Sequence, residues 1–345
     1  MPEPTAHDAS ELNRSSVSLL NTLPKALRHY ENEVRATLGV EAARVTSVRT
    51  PSAEMGSAGK VTKLARAAQH ASFMGRQREP FISLWPALGH LEFAVASRRA
   101  AGAVVIHDPD PIRQSIGYGA RSMQAGVAAS RRAGHFAIAH SRAAEARLRE
   151  IGYGKVLYVP HPMLEPTPRL VNPAGDRVVR VLGQYKPTRD LDLLEKLGAR
   201  LTEQGVRGEI VGRGWPQIQN WTVRAEFVSE EELDLLVATA GAVLVPYTKY
   251  WQSGLAIRAA EHSVPVVGAA GGFLDELLGT HNSGLVADVD DLDEWTTALV
   301  TVLSDAATTT SSDSAVSYFR QARTGWTDLL TRLGASSTES RNESE

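Results

Sequence analysis

Apolar residues along the chain fall into two alternating patterns. Short runs rich in Val, Ile, Leu and Phe have the length and composition of buried strands, and longer stretches repeat an apolar position every third or fourth residue, the spacing of an amphipathic helix. In the first half the runs SVSLL, ARVTSV, FISLW, AVVIH, FAIAH and KVLYV predict strands, and 23–38, 59–75, 89–101, 112–132 and 142–150 predict the helices between them. Residues 161–176 hold four prolines and a glycine, which no regular element tolerates, and read as a linker. The alternation then resumes. RVVRVLG, GEIVG, AVLVP, VPVVGA and GLVAD predict strands, with helices near 190–204, 230–240, 254–262, 273–279 and 291–304.

Strand and helix in strict alternation predict parallel sheets built from βαβ units. The expected fold is therefore α/β, with two Rossmann-like doubly wound domains facing across a cleft, 15–160 and 177–304. Such domains bind ligands at the carboxyl ends of their strands. TTTSSDS, at 308–314, reads as a loop, and 315–334 as a closing amphipathic helix with Phe319, Trp326 and Leu330 on its apolar face. The polar ends, 1–14 and 335–345, are expected to be disordered.

Composition narrows the class. The chain has 345 residues, 43% hydrophobic and 22% charged, enough for two cores. No apolar run approaches the roughly 18 residues of a membrane span, and the start of the chain has neither the basic nor the apolar segment of a secretory signal, so a cytoplasmic protein is expected. With no cysteine there is no disulfide and no thiolate chemistry. Charge is uneven: 21 Lys and Arg face 14 Asp and Glu up to residue 165, against 16 and 25 beyond it. A basic first half suits an anionic partner, and Lys25, Arg28 and Arg35 along one helix could meet the inner face of a membrane or a lipid-linked acceptor. Attraction between the two halves, or a simply solvated helix face, explains the same charges. Nothing points to nucleic acid.

Two stretches carry candidate chemistry. In YWQSGLAIRAAE a strand gives way to a helix through Ser253 and Gly254; the first amides of that helix have no intrahelical partner and, with the helix dipole, suit a phosphate. Ser253 acting only as an N-cap is the plainer reading. In VLGQYKPTRDLDLL a strand ends at Gly183, and Lys186 and Arg189 follow in the loop, where two cations could neutralise a diphosphate or merely be solvated. The DPD at 108–110 has the look of a divalent-metal motif, but DLD recurs at 190–192 and 291–293, so no metal is expected. Neither a G-x-G-x-x-G after a strand nor a P-loop occurs.

Those stretches resemble the nucleotide-sugar domain of the GT-B glycosyltransferases, in particular the retaining group-1 family (family 4). VLGQYKPTRDLDLL is similar to its Arg-Pro-x-Lys-Gly turn, with Lys186 and Arg189 at the cationic positions; GEIVGRG resembles its IVGxG strand, EFVSEEELDLLVATAGAVLVPY its acidic helix and strand, and YWQSGLAIRAAE the branch with QSG. In the first half VVIHDPDP, HSRAAEARL and VLYVPHP carry a thinner likeness. The resemblance implies transfer of a sugar, with retention, from a nucleoside-diphosphate sugar to a glycan, lipid-linked or small-molecule acceptor, without a cofactor. It implies that Lys186 and Arg189 stabilise the leaving diphosphate and that Gly183, Gln252, Ser253, Gly254 and Leu255 form its cradle. It also implies that Val228 lies beside the base and that His107 faces the reacting sugar. The family's two glutamates fall at Tyr250 and Arg258, so both carboxylates are replaced; an arginine cannot accept from ribose hydroxyls, and Arg258 is expected to turn to a phosphate. The family's N-terminal glycine-rich loop is not seen after SVSLL. Two alternatives stay open: a non-catalytic partner of another transferase, and a nucleotide-sugar epimerase on the same scaffold.

Overall fold

The computed structural model describes residues 16–24, 27–50, 59–110, 117–170, 177–247, 250–303 and 305–342. Lys25, the N-terminal stretch 1–14, residues 112–116 and the end of the linker lie outside them. The chain divides into two compact units, Met1–Pro162 with Ala322–Glu345, and Met163–Gln321.

The first unit is built on a sheet of β1 (Val17–Asn21), β2 (Val45–Arg49), β3 (Phe81–Ser83), β4 (Gly102–Val105), β5 (Phe136–Ala139) and β6 (Val156–Tyr158), in the order β2-β1-β3-β4-β5-β6 and parallel throughout. All six strands fall on the runs named above. β1, β3, β4 and β5 are buried along their whole length, which is why they read as continuous apolar runs rather than alternating ones. The helices are α1 (Arg28–Leu38), α2 (Lys60–Gly75), the single turn α3 (Glu92–Val95), α4 (Ala120–Ala133) and α5 (Arg142–Ile151). The helix expected over 89–101 is thus short: the backbone turns extended at Ala96, and the amide of Ser97 bonds the carbonyl of Met74 instead.

The second unit repeats the plan. Its strands are β7 (Val178–Leu182), β8 (Arg207–Val211), β9 (Trp221–Arg224), β10 (Ala242–Val245), β11 (Val266–Ala269) and β12 (Leu285–Val286), in the order β12-β11-β10-β7-β8-β9, again parallel. Its helices are α6 (Leu191–Glu203), α7 (Glu230–Ala238), α8 (Gly254–Glu261), α9 (Phe273–Leu278) and α10 (Leu292–Val302). Sequence pattern missed β9, an edge strand of four residues. Both DLD motifs prove to be helix starts: Asp190 caps α6 through the amide of Leu193, and Asp291 caps α10 through those of Asp293 and Glu294.

The last helix, α11 (Asp305–Asn342), corrects the loop expected at 308–314 and continues through 335–342, where composition suggested an unfolded tail. Ser and Thr cost a helix only a few tenths of a kcal/mol each against better formers, so the packed turns on one side carry them. Ala315, Tyr318 and Phe319 are buried in the core of the second unit, and Ala322, Trp326, Leu329, Leu330 and Leu333 in that of the first. Trp326 is fully buried and donates from Nε1 to the carbonyl of Pro160 at 3.1 Å.

Each sheet reverses its winding once. In the first the reversal lies between β1 and β3, in the second between β7 and β10. Loops leaving the carboxyl ends of two such strands run in opposite directions and leave a crevice, the usual ligand position of open α/β sheets.

Candidate functional site

At the reversal in the second unit the chain leaves β7 through Gly183. Its φ of +85° is a left-handed conformation that favours glycine, and a methyl group there would sit 3.1 Å from Leu255 Cδ1 and 3.3 Å from Arg189 Nη2. Gly212, at the end of β8, is equally constrained: a Cβ would stand 2.2 Å from the carbonyl of Gly183. The turn 183–189 is therefore pressed flat against its neighbours. Trp215 fixes it by donating from Nε1 to that same carbonyl at 2.8 Å.

The turn folds Arg189 inward. The side chain is 4% exposed, and Nη2 donates to the carbonyl of Leu182 at 2.6 Å and to the hydroxyl of Tyr247 at 3.1 Å. Its guanidinium carbon lies 4.8 Å from the ring centre of Trp215 and 5.0 Å from that of Tyr247. Nε is buried with no hydrogen-bond partner, and among the described residues no carboxylate pairs with this cation. Burial lowers the pKa of Arg189, and Tyr247 acts the other way; the group stays a guanidinium at neutral pH. Burying an arginine without a counter-ion is costly. Lys186, on the same turn, is exposed.

Across the reversal, β10 leads through Tyr247 to α8. Ser253 accepts from the amide of Ala256 at 3.3 Å and so is the N-cap; its hydroxyl oxygen already serves the helix. Gly254 is exposed, with open space where a side chain would stand. Leu255 reaches back to Gly183. Tyr250 lies against Tyr247, and its hydroxyl, 3.4 Å from the carbonyl of Ala269, is held protonated, chiefly by burial. The structure thus gathers Gly183, Arg189, Tyr247, Leu255 and the α8 amides in one place. Val228 and Gln252 are half-buried. Arg258 departs from expectation: it is 6% exposed and pairs with Glu230 at 2.7 Å, so one arm of its guanidinium is committed to a carboxylate of α7 rather than left for a phosphate.

At the reversal in the first unit the groups are different. Thr22, after β1, donates to the carbonyl of Trp85, after β3, at 3.1 Å. His107, at the end of β4, stacks on the Trp85 ring with centroids 4.8 Å apart. Nε2 of His107 lies 2.8 Å from the carbonyl of Leu84, which can only accept, so that nitrogen carries the proton. His140 likewise donates from Nδ1 to Val159 and accepts at Nε2 from the hydroxyl of Tyr30, and His161 donates from Nδ1 to Pro162. Burial lowers the pKa of all three imidazoles, that of His161 to about 3, so the cluster is neutral. Asp108 stands half-buried beside His107, while Asp110 is held by Arg147 at 2.9 Å, which takes one of the two carboxylates of DPD. Arg35 of the expected membrane face donates to Ser47 at 2.6 Å.

Comparison of the fold with solved structures gives a consistent result. TarM superposes with a TM-score of 0.61 at 14% identity over 79% of this chain, which spans 58% of the length of TarM. HepE of Anabaena, solved with UDP and glucose, gives 0.58 at 12% identity over 95% of this chain and 99% of HepE. The sucrose-phosphate synthase of Thermosynechococcus elongatus gives 0.59 at 14% over 96% and 99%. These are GT-B glycosyltransferases. The chain has the GT-B fold. No family model and no curated protein matches the sequence, so the likeness is one of architecture.

Within that GT-B frame, sequence reasoning missed Tyr247, Trp215, Trp85 and Glu230. Trp85 was signalled only as the end of the run FISLW, and Glu230 was hidden in a triplet of glutamates that reads as a solvated helix start.

Proposed function

We propose that the protein is a glycosyltransferase of hexosyltransferase type that moves a sugar, with retention, from a nucleoside-diphosphate sugar to a glycan, lipid-linked or small-molecule acceptor. One observation carries the reading: a buried guanidinium with no carboxylate partner among the described residues sits at the strand reversal of the second unit, beside the open start of a helix. A diphosphate matches both groups. Its oxygens accept from the free amides of Gly254 and Leu255, and its charge satisfies Arg189. As the bond to the sugar breaks, negative charge grows on the leaving diphosphate, and a cation already fixed and dehydrated stabilises that charge without reorganising. Lys186, exposed on the same turn, adds a mobile second charge. No cofactor is needed, since the protein supplies the neutralising groups. The similar structures support this reading, HepE among them having been solved in complex with UDP and glucose.

In the first unit the neutral groups suit an acceptor that is itself neutral. Trp85 offers an aromatic face, stacked on His107, and an indole N–H that is buried without a partner. A peripheral anionic membrane contact is supported by α2, which contains no Asp or Glu and exposes Val61 and Leu64 by 82% and 72% beside Lys63 and Arg66. Vesicle sedimentation that is salt-sensitive and lost in Val61→Ser/Leu64→Ser would bear this out; salt-independent absence of binding would remove it.

Calorimetry with UDP, GDP and ADP tests the donor site directly. The expected result is binding of one of them by the wild type, unchanged by EDTA, and its loss in Arg189→Met. Turnover of the matching sugar nucleotide then separates the enzyme from a binding-only relative, and dependence of that turnover on an acceptor separates it from an epimerase.

A further inference from the structure

Arg258 and Glu230 form a pair with an unused half on each side. Arg258 lies on α8 and is 6% exposed; Nη2 holds Glu230 Oε2 at 2.7 Å, and Nη1 is buried with no hydrogen-bond partner. Glu230 is the first residue of α7, after the Ser229 N-cap, and its side chain is 42% exposed. Oε2 is taken by Arg258, and Oε1 has no hydrogen-bond partner among the described residues. A buried arginine requires a counter-charge, and the Glu230 carboxylate supplies it. This one is half in solvent, with one oxygen free.

Position along α8 gives the pair a use. Residues 254, 255 and 258 share a helix face, so Arg258 sits one turn, about 5.4 Å, beyond the amides proposed to hold phosphate. In a nucleoside diphosphate a single CH2–O link joins the α-phosphate to the ribose. A ligand with its phosphates at the start of α8 therefore places its ribose on the order of one helical turn away. The two ribose hydroxyls are donors, and an ionised carboxylate is an acceptor with no competing donor of its own. Val228, two residues before Glu230, packs at the edge of the same core as Tyr247 and Leu255.

We infer that Glu230 reads the vicinal diol of the donor's ribose, with Arg258 as the positioning residue that fixes its carboxylate. This rests on the donor site proposed above. The residue at 258, which cannot itself accept a hydrogen bond, instead orients one that can. Charge-assisted hydrogen bonds of this kind discriminate strongly, because the analogue lacking the hydroxyl leaves the carboxylate unpaired.

The test compares the nucleotide that binds best with its 2′-deoxy and 3′-deoxy forms. Wild type is expected to prefer the ribonucleotide by about 10- to 100-fold. Glu230→Gln brings the ratio within about threefold while inorganic pyrophosphate binds at least as well as before, since a negative charge has gone. Arg258→Met lowers the ratio although Glu230 is intact, and the exchange Glu230→Arg/Arg258→Glu restores part of it; a pair that only stabilised the fold would change melting temperature and leave the ratio alone. Equal binding of ribo- and deoxynucleotide by the wild type, which requires no variant, overturns this inference and spares the donor site. Failure of the wild type to bind any nucleotide overturns both.

Discussion

At the strand reversal of the first unit the rings of His107, His140 and His161 are neutral, whereas at the reversal of the second a guanidinium is buried with no carboxylate against it among the described residues. The two sites share a parallel sheet, a change of winding and loops from adjacent strands. They differ in what the loops bring inward. His107, His140 and His161 each give a proton to a main-chain carbonyl, which locks one tautomer and leaves the other nitrogen as an acceptor. Arg189 gives one nitrogen to a carbonyl and a tyrosine and keeps another unpaired. Topology makes the crevice, and the proposed division between a neutral hydroxyl and an anion rests on the charge state of the residues folded into it.

The largest effect that can break this contrast comes from Arg189. In Arg189→Met, kcat/KM should fall by about 10²–10³-fold and nucleotide affinity with it, while the melting temperature holds or rises because an uncompensated buried charge is gone. A variant that loses stability but keeps nucleotide affinity would show that the cation serves the fold alone.

Acid titration addresses the neutral site. The folded pKa of His161 lies near 3, below the 6.5 of an unperturbed imidazole, so between those limits the unfolded chain binds more protons than the folded one. Stability is therefore greatest above pH 6.5 and falls as pH drops toward 3, by on the order of a few kcal/mol at the end of the range. Denaturant midpoints measured against pH should show this slope, and His161→Asn should flatten it. A slope unchanged by that substitution would mean the ring protonates freely where it stands.

A smaller effect separates the two substrates. Trp85→Ala should slow transfer to acceptor by roughly tenfold or more while nucleotide affinity stays within twofold. Weakened nucleotide binding would blur the division between the sites. Ser253→Ala should cost about 1 kcal/mol of stability through the lost cap, with a comparably small change in affinity. A much larger loss of affinity would mean that the hydroxyl meets the phosphate as well as the helix.

The strands were legible because β1, β3, β4, β5 and β10 are buried along their whole length and announce themselves as apolar runs. β9 was not: WTVR follows a loop with glycine and proline, and its only claim to be a strand is pairing with β8, a tertiary fact. The loop expected at 308–314 failed for the opposite reason, since seven polar residues in a row still fit a helix anchored by Tyr318, Phe319 and Trp326. Within the site, the motif gave the addresses of Lys186 and Arg189 but not that one is exposed and the other buried. Charge at a position can be read from sequence. Whether a partner exists to cancel it cannot, and Arg258 shows the converse, a cation whose partner, Glu230, lies 28 residues away.

Gly183 turns the geometry of the proposed donor site into a rule of inheritance. At a φ of +85°, with Leu255 and Arg189 3.1 and 3.3 Å from where a Cβ would stand, a library of variants selected for nucleotide turnover should return glycine at 183, and trimming Leu255 should not by itself admit alanine or serine. Glycine retained even beside a trimmed Leu255 would mark a position fixed by its backbone rather than by its neighbours.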